Sequence, residues 1–333
     1  MANSNSNAMI VLRIPARDIP LPSSISAAAQ ACLAARPMQT PTVYPPLHDK
    51  AGWKTYIRAT DEAVSRILRQ RNPDVQAKIT EREVDGVRVF DIAPVGVSED
   101  SRGVVLDMHG GALIVCGGEL CRIMGEGVAA RLRRRVWAVD YRMPPDHPYP
   151  AALDDGITVY RSLLRERSPQ QIIVHGASAG GNLAAALILR ARDEGLPLPA
   201  GALLITPEVD LTESGDSFKT NMGLDPSGLS SLMAVNLLYA DGHDLRHPYL
   251  SPLFGDFSKG FPPTLLTTGT RDLFLSNTVR MHRALRAAAI RAELHVFEAA
   301  GHGGFPSGTP EGDEIDLDVR RFIQQLWQMT GDA

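Results

Sequence analysis

Short apolar runs alternate with helix-length segments along most of the chain, beginning near residue 78. Each run has the length and the β-branched or apolar composition of a buried strand, and the segments between runs are long enough for crossover helices. This alternation predicts βαβ units and a mostly parallel sheet of the α/β class. The predicted strands are Val87–Ile92, Val104–Met108, Val136–Asp140, Ile172–His175, Ala202–Thr206, Thr264–Thr268 and Glu293–Phe297.

The first of these strands follows a similar run over residues 79–84, and Asp85-Gly86 separates the two. This dipeptide suits a two-residue hairpin turn, because both positions tolerate positive φ. We therefore expect an opening antiparallel hairpin and a sheet that is mixed at its first edge only.

The stretch before residue 75 has a different pattern. Helix-like segments near 24–35 and 59–71 flank a proline-rich region, and the second segment has apolar residues at helical spacing. Asp61 lies near its start and is expected to cap it. We therefore expect this segment to form an amphipathic helix that packs on the main domain.

A second interruption, residues 211–248, carries no clear strand and is far longer than a normal connection. We interpret both interruptions as candidate lids over an active site. The predicted organisation is a disordered or vector-derived lead over 1–9, an N-terminal helical cap segment over 10–75, and a catalytic core over 76–333 that contains the second cap segment.

Charge and composition exclude several classes of partner. The 34 basic and 38 acidic residues nearly cancel, and the basic run 131–135 is too short to follow a nucleic-acid backbone. No apolar run approaches the roughly 20 residues of a membrane span. Without the apolar stretch of a secretory signal at the start, we expect a cytoplasmic protein that binds no nucleic acid and inserts in no membrane.

The three cysteines, Cys32, Cys116 and Cys121, are an odd number and lack metal-ligand spacing. We expect small buried hydrophobic residues rather than disulfides or a metal site.

The strongest chemical signal is Gly176-Ala177-Ser178-Ala179-Gly180, which lies between a predicted strand and a helix-like segment. A serine on such a tight turn has a strained backbone and needs small residues two positions to either side. The amides that follow lie at a helix N-terminus, where partial positive charge stabilises an oxyanion. Ser178 is the predicted nucleophile, and a Gly/Ser loop that merely caps a helix is the alternative.

A second glycine motif, His109-Gly110-Gly111, directly follows the strand that ends at Met108. Glycines let backbone N–H groups approach a reacting carbonyl closely, so Gly110 and Gly111 are predicted oxyanion donors beside the amide of Ala179. A plain Gly-rich turn is the alternative. We expect His109 to brace the loop by hydrogen bonding rather than to act as a base.

A serine hydroxyl needs an imidazole to accept its proton and a carboxylate to hold that imidazole. Of nine histidines, His302 follows the last predicted strand in a glycine-rich loop, which places it at the carboxyl edge of the sheet, where ligands bind. Asp272 comes just past the preceding strand and is the predicted acid. The alternative role of Asp272 is a helix N-cap, and Glu208 and Asp210 are the fallback acids.

With these motifs in order, the chain resembles the hormone-sensitive-lipase-like branch of the α/β-hydrolase superfamily, a group of bacterial esterases with a His-Gly-Gly motif. The likeness covers about residues 75 to 330, and the segment from Asp140-Tyr141-Arg142 to Ala152 is similar to the family's Asp-Tyr-Arg-Leu-Ala-Pro-Glu segment. The resemblance implies an α/β-hydrolase fold with an eight-stranded sheet, helices on both faces, a helical cap, no cofactor and no metal. It also implies that Tyr141, Arg142 and Asp146 are scaffold.

Three positions depart from the family pattern: Ala177 precedes the serine, Leu273 follows the acid, and Glu208 replaces a common tryptophan. Together with Thr270-Arg271-Asp272-Leu273, these departures are similar to the monoterpene ε-lactone hydrolase subgroup. Glu208 predicts an unusually polar wall near the site.

The sequence therefore predicts a serine carboxylesterase that acts on short to medium acyl esters. Glu208, Leu229 and Met233 are the predicted substrate-binding residues. A lactone hydrolase with the same triad is the first alternative, and a non-catalytic small-molecule receptor on the same fold is the second. An exposed strand edge is compatible with a homodimer.

Overall fold

The computed structural model describes residues 12–35, 42–71, 75–97 and 103–329. Within these ranges the chain forms one eight-stranded sheet and nine α-helices. The strands are β1 (Ala77–Val84), β2 (Val87–Pro94), β3 (Val104–Met108), β4 (Val136–Asp140), β5 (Ile172–Ala177), β6 (Gly201–Ile205), β7 (Thr264–Gly269) and β8 (Ala292–Phe297). The helices are α1 (Ala27–Ala34), α2 (Lys50–Arg71), α3 (Glu119–Leu132), α4 (Ala151–Glu166), α5 (Ala179–Asp193), α6 (Ser217–Thr220), α7 (Met233–Ala240), α8 (Leu275–Ala287) and α9 (Pro310–Met329). The predicted lead over 1–9 lies outside the described residues.

The strands lie in the order β1-β2-β4-β3-β5-β6-β7-β8. β2 is antiparallel to both β1 and β4, and the remaining neighbours are parallel. Val84 pairs with Val87 across the Asp85-Gly86 turn, where both residues have positive φ. The predicted α/β sheet, mixed at its first edge, is therefore confirmed.

Helices cover both faces of the sheet. Successive strand residues point to opposite faces, so both faces carry apolar side chains that need to be covered. Leu106 and Val174 belong to the core cluster that contains α4, α5 and part of α8. Val105 and Ile173, their neighbours in sequence, belong to the cluster that contains α3 and α9. Buried apolar residues on both faces explain why the strands appear in sequence as continuous apolar runs.

The N-terminal segment differs from the sequence prediction. Helix α2 begins at Lys50, well before residue 59, so Asp61 lies inside the helix and the predicted cap role is wrong. Its Oδ1 instead accepts the N–H of Cys116 at 2.8 Å. The long helix α2 thus hydrogen-bonds to the loop after β3, a contact that helical spacing alone does not indicate.

Residues 211–248 contain α6 and α7 and, within the described chain, no strand. Phe218 and Leu232 of this segment pack in one apolar cluster with Trp53 of α2, Ile114 after β3 and Phe274 after β7. Both candidate cap segments therefore meet on loops at the carboxyl ends of the parallel strands.

Among the described residues, no helix is both long and apolar enough to cross a membrane. All three cysteines are free; Cys116 and Cys121 are buried, whereas Cys32 is half-buried.

Candidate active site

Ser178 lies on the turn between β5 and α5 with φ 58° and ψ −126°, a conformation that costs an ordinary residue strain energy. Its N–H donates to the carbonyl of Ile205 at 2.9 Å, which fixes the turn against β6. A Cβ on Gly180 would overlap the carbonyl oxygen of Met108, so the turn also lies directly against the end of β3. The predicted strand–turn–helix setting of the serine is present.

The loop after β3 lies beside this turn. A Cβ on Gly110 would lie 3.5 Å from the Cβ of Ser178, so the glycine faces the serine directly. In the described part of the chain, the N–H groups of Gly110, Gly111 and Ala179 donate to no acceptor. Three free backbone donors, on the loop after β3 and on the turn that carries Ser178, form an arrangement that can bind an oxyanion.

His109 braces this loop, as the sequence predicts. Its Nδ1 donates to the carbonyl of Gly110 at 2.7 Å, and its ring stacks on Tyr141 with centroids 4.0 Å apart. The hydroxyl of Tyr141 donates to the carbonyl of His109 at 2.8 Å. Burial lowers the pKa of the His109 imidazole and keeps the ring neutral.

The other scaffold residues of the Asp-Tyr-Arg segment also form structural contacts. Arg142 pairs with Asp155 at 2.7 Å, and Asp146 pairs with Lys54 of α2 at 2.8 Å.

His302 lies in the loop after β8, and its Nε2 is 2.8 Å from the Oγ of Ser178. Its Nδ1 is 3.3 Å from Oδ1 of Asp272. Asp272 is fully buried; Oδ1 also accepts the N–H of Phe274 at 2.9 Å, and Oδ2 accepts the hydroxyl of Thr268 at 2.8 Å. Three distant parts of the chain thus form one path of contacts from carboxylate to imidazole to hydroxyl.

The electrostatics of the site raise the pKa of the His302 imidazole. Burial alone lowers the pKa of its imidazole, but the hydrogen bond and charge of Asp272, with the charge of Asp225, outweigh burial and raise the pKa above its ordinary value. The imidazole is therefore a stronger proton acceptor than a free histidine, which suits a base that takes a proton from a hydroxyl.

The fallback acids lie elsewhere. The carboxylate of Asp210 accepts hydrogen bonds from the hydroxyls of Thr212 and Ser214 and pairs with Arg280 at 2.6 Å. Glu208 is fully buried, and its Oε1 accepts an N–H from Asn236 of α7 at 3.1 Å. Burial raises the pKa of its carboxyl to about 8. Of the three acids considered from the sequence, Asp272 is the one that contacts His302.

The predicted pocket residues are less closely grouped than the triad candidates. The N–H of Glu208 donates to the carbonyl of Ser178 at 3.1 Å, so this residue adjoins the nucleophile through its backbone. Leu229 packs against the apolar cap cluster, whereas Met233 is half-buried at the start of α7. Their contact with a substrate stays a prediction.

Sequence reasoning missed two residues of the cap segment that hold the site. Asp225 accepts the backbone N–H groups of Leu273 and His302, and Asn221 donates to the carbonyl of Asp272 at 2.8 Å. Asp225-Pro226-Ser227 is recognisable in sequence as a turn. Its partners, however, lie far along the chain, and no local pattern indicates them.

His109, Cys121 and Asp140 bring one potential metal-ligand atom each within 4.8 Å of one another. Asp140 already accepts hydrogen bonds from Arg88 and from the N–H of Gly118. Burial raises the pKa of the Cys121 thiol well above its ordinary value, which opposes the thiolate that a metal needs. The side chains of His109, Cys121 and Asp140 therefore fit a structural role rather than metal binding.

Comparison with known proteins places this geometry in a family. A family model described as alpha/beta hydrolase fold matches residues 105–306. An esterase of Acinetobacter venetianus is 29% identical over 280 residues, which cover 81% of this chain and 88% of that protein. An acetyl-hydrolase of Streptomyces hygroscopicus is 35% identical over 199 residues, 58% of this chain and 64% of that protein.

Solved structures agree with these relatives. An esterase of known crystal structure is 36% identical to this chain in sequence. The two structures superpose with a TM-score of 0.88, covering 95% of this chain and 98% of that one. An esterase from the bacterial hormone-sensitive lipase family is 29% identical with a TM-score of 0.74, covering 88% of this chain and 94% of that one. Given this match in sequence and structure, the chain belongs to the α/β-hydrolase family, in its hormone-sensitive-lipase-like branch, and is a serine carboxylesterase.

Proposed function

We propose that Ser178, His302 and Asp272 are the catalytic triad of this carboxylic ester hydrolase. The observation that carries the proposal is the pair of contacts made by one imidazole: Nε2 to the Ser178 hydroxyl at 2.8 Å and Nδ1 to the Asp272 carboxylate at 3.3 Å. A base that bridges a hydroxyl and a buried carboxylate is the arrangement that activates a serine nucleophile.

In the first half-reaction, the Oγ of Ser178 bonds to the ester carbonyl carbon while its proton passes to Nε2 of His302. Asp272 orients and stabilises the imidazolium that results. The N–H groups of Gly110, Gly111 and Ala179 stabilise the oxyanion, at about 3 to 4 kcal/mol of barrier for one such donor. The bond to the alcohol oxygen then breaks, and His302 gives its proton to the leaving alkoxide.

In the second half-reaction, a water molecule gives a proton to His302 and its oxygen bonds to the acyl carbon. The bond from that carbon to Ser178 then breaks, the proton returns to Oγ, and the carboxylic acid leaves. The cycle regenerates the free enzyme with no groups other than these residues and water.

We propose esters of short to medium acyl chains as substrates. Support comes from the apolar cluster that contains Trp53 of α2 and Phe274 after β7, against which Leu229 packs. The Phe274 ring lies against His302 with ring centroids 4.8 Å apart, so apolar side chains adjoin the site and would limit the length of an acyl group. The name of the Streptomyces relative, an acetyl-hydrolase, points the same way. Glu208, Leu229 and Met233 are proposed to bound the pocket, and a lactone is an alternative substrate for the same triad.

The test is a panel of p-nitrophenyl esters from acetate to palmitate, with a lactone added. We expect the rate to peak at short or medium chains and Ser178→Ala to lower kcat on the order of 10⁶-fold. Ser258→Ala, at an exposed serine that precedes β7, is the matched control and should leave kcat unchanged. A rate that rises steadily to palmitate contradicts the substrate class, and an active Ser178→Ala contradicts the triad.

We further propose a cytoplasmic location and a homodimer, for which β8 offers an edge strand of the sheet.

A further inference from the structure

Asp225 is a fully buried carboxylate in the segment between β6 and β7, and no part of the proposed mechanism uses it. It lies after the short helix α6, in the second of the two candidate cap segments. Buried carboxylates are costly unless several donors satisfy them, so the contacts of this side chain indicate what it does.

Its donors are backbone N–H groups of the two loops that carry the proposed acid and base. Oδ2 accepts the N–H of Leu273, the residue after Asp272, at 3.0 Å. The N–H of His302 points at the same carboxylate, 3.1 Å from Oδ2 and 3.2 Å from Oδ1. One side chain therefore links the loop after β7 to the loop after β8.

The packing around these bonds is tight. A Cβ on Gly301 would lie 2.6 Å from Oδ1 of Asp225 and would overlap Pro226. Ser227 turns the chain back onto the carboxylate through its N–H at 2.9 Å and its hydroxyl at 2.7 Å. The position of Asp225 is thus determined from both sides, by its own turn and by the glycine that precedes His302.

We propose that Asp225 is a positioning residue: its carboxylate fixes the loops of Asp272 and His302 at the spacing at which the imidazole reaches Ser178. The inference rests on the proposed triad, and it makes assembly of the triad depend on seating of the cap segment. Asn221, which donates to the carbonyl of Asp272, reinforces the same link from the same segment.

Asp225 also acts on His302 through its charge. The charged or titratable groups that face the imidazole are Asp272 from the loop after β7, Asp225 from the cap segment and Glu208 from the loop after β6. The charges of Asp272 and Asp225 raise the pKa of His302 against the lowering effect of burial, and Glu208 adds to them only where it is ionised. Removal of the Asp225 charge should therefore shift the acid limb of kcat/KM to lower pH, an effect that a merely structural residue does not have.

The test compares Asp225→Asn with Asp216→Asn, which removes an exposed carboxylate from the same segment. An asparagine has one acceptor oxygen, so its NH₂ group must face the N–H of either Leu273 or Ser227, and either the loop after β7 or the turn that seats the carboxylate is released. We expect kcat for p-nitrophenyl butyrate to fall about 10- to 100-fold, with KM within about twofold and the acid limb at lower pH. Asp216→Asn should match the wild type in all three.

A folded Asp225→Asn with wild-type kcat and an unchanged acid limb overturns the inference. If that variant does not fold, Asp225→Glu provides the second test, because it keeps the charge and moves the oxygens; we expect a loss of kcat with little change in the acid limb. Wild-type kcat in Asp225→Glu overturns the inference as well. Failure of a fluorophosphonate to label Ser178 in the wild type would instead contradict the triad itself.

Discussion

The nucleophile half and the acid–base half of the proposed site are held in different ways. In the nucleophile half, Ser178 and its neighbours are fixed by backbone contacts within the sheet, such as the bond to Ile205 and the close approach of Gly180 to Met108. In the acid–base half, the loops of Asp272 and His302 are joined by side chains, above all by Asp225. Backbone contacts between neighbouring strands follow from the fold, whereas the side-chain links depend on a segment inserted in it.

The largest expected effect breaks the acid–base half directly. Asp272→Asn keeps the shape of the side chain but removes the charge that orients and stabilises the imidazolium, so we expect kcat to fall on the order of 10⁴-fold. The measurement is steady-state kinetics with p-nitrophenyl butyrate.

Asp210→Asn is the matched control for this change, because it neutralises another buried carboxylate past a neighbouring strand, and it should retain kcat within about tenfold. The opposite ranking of the two variants would reassign the acid to the strand before β7.

The same substitution in each half gives the next largest effect and sharpens the comparison. In Gly180→Ala the new Cβ meets backbone atoms of Met108, the last residue of β3, and of His109 next to it, which cannot move without the sheet, so we expect kcat/KM to fall on the order of 10²-fold or more. In Gly301→Ala it meets side chains of Asp225 and Pro226, which can shift with their segment, so a loss of about tenfold is expected.

Kinetics and thermal unfolding of both variants provide the measurement. Gly195→Ala, at φ +74° with open space around it, is the control for backbone strain alone and should cost about 1 to 2 kcal/mol of stability without loss of activity. Equal losses in Gly180→Ala and Gly301→Ala would mean that the two halves are held alike.

The same difference explains how far the sequence could predict the molecule. Strands β3 and β4 have the predicted bounds, because a strand buried on both faces is a continuous apolar run. The sequence predicts Ser178, Gly110 and Gly111 as site residues because close backbone approaches and a tight turn restrict the residues that fit there.

The contacts of the cap segments could not be predicted. The cap role that the sequence predicts for Asp61 is wrong, since its partner Cys116 lies 55 residues away. Asp225 was missed, since its partner His302 lies 77 residues away. A hydrogen bond between a side chain and a distant backbone amide places no requirement on the residue at the other end, so it leaves no pattern in a single sequence.

The smallest expected effect concerns Glu208, where the two halves meet the cap. Its N–H donates to the carbonyl of Ser178, and its side chain is held by Asn236 of α7. Its pKa is raised from the ordinary 4.5 to about 8 by burial. Between these values the folded protein keeps a proton that the unfolded chain has released, so the free energy of unfolding must fall as pH rises through this window.

Glu208→Gln stays neutral at every pH, so this contribution should disappear. Relative to the wild type, the variant should gain stability from pH 5 to pH 8, by a few kcal/mol at most, since one pKa unit corresponds to about 1.4 kcal/mol. Chemical denaturation across this range measures the change, and Glu298→Gln, at an exposed carboxyl, is the control. Parallel stability curves for wild type and Glu208→Gln would mean that Glu208 is ionised in the fold, and that the cap accommodates a buried charge beside the nucleophile rather than a neutral acid.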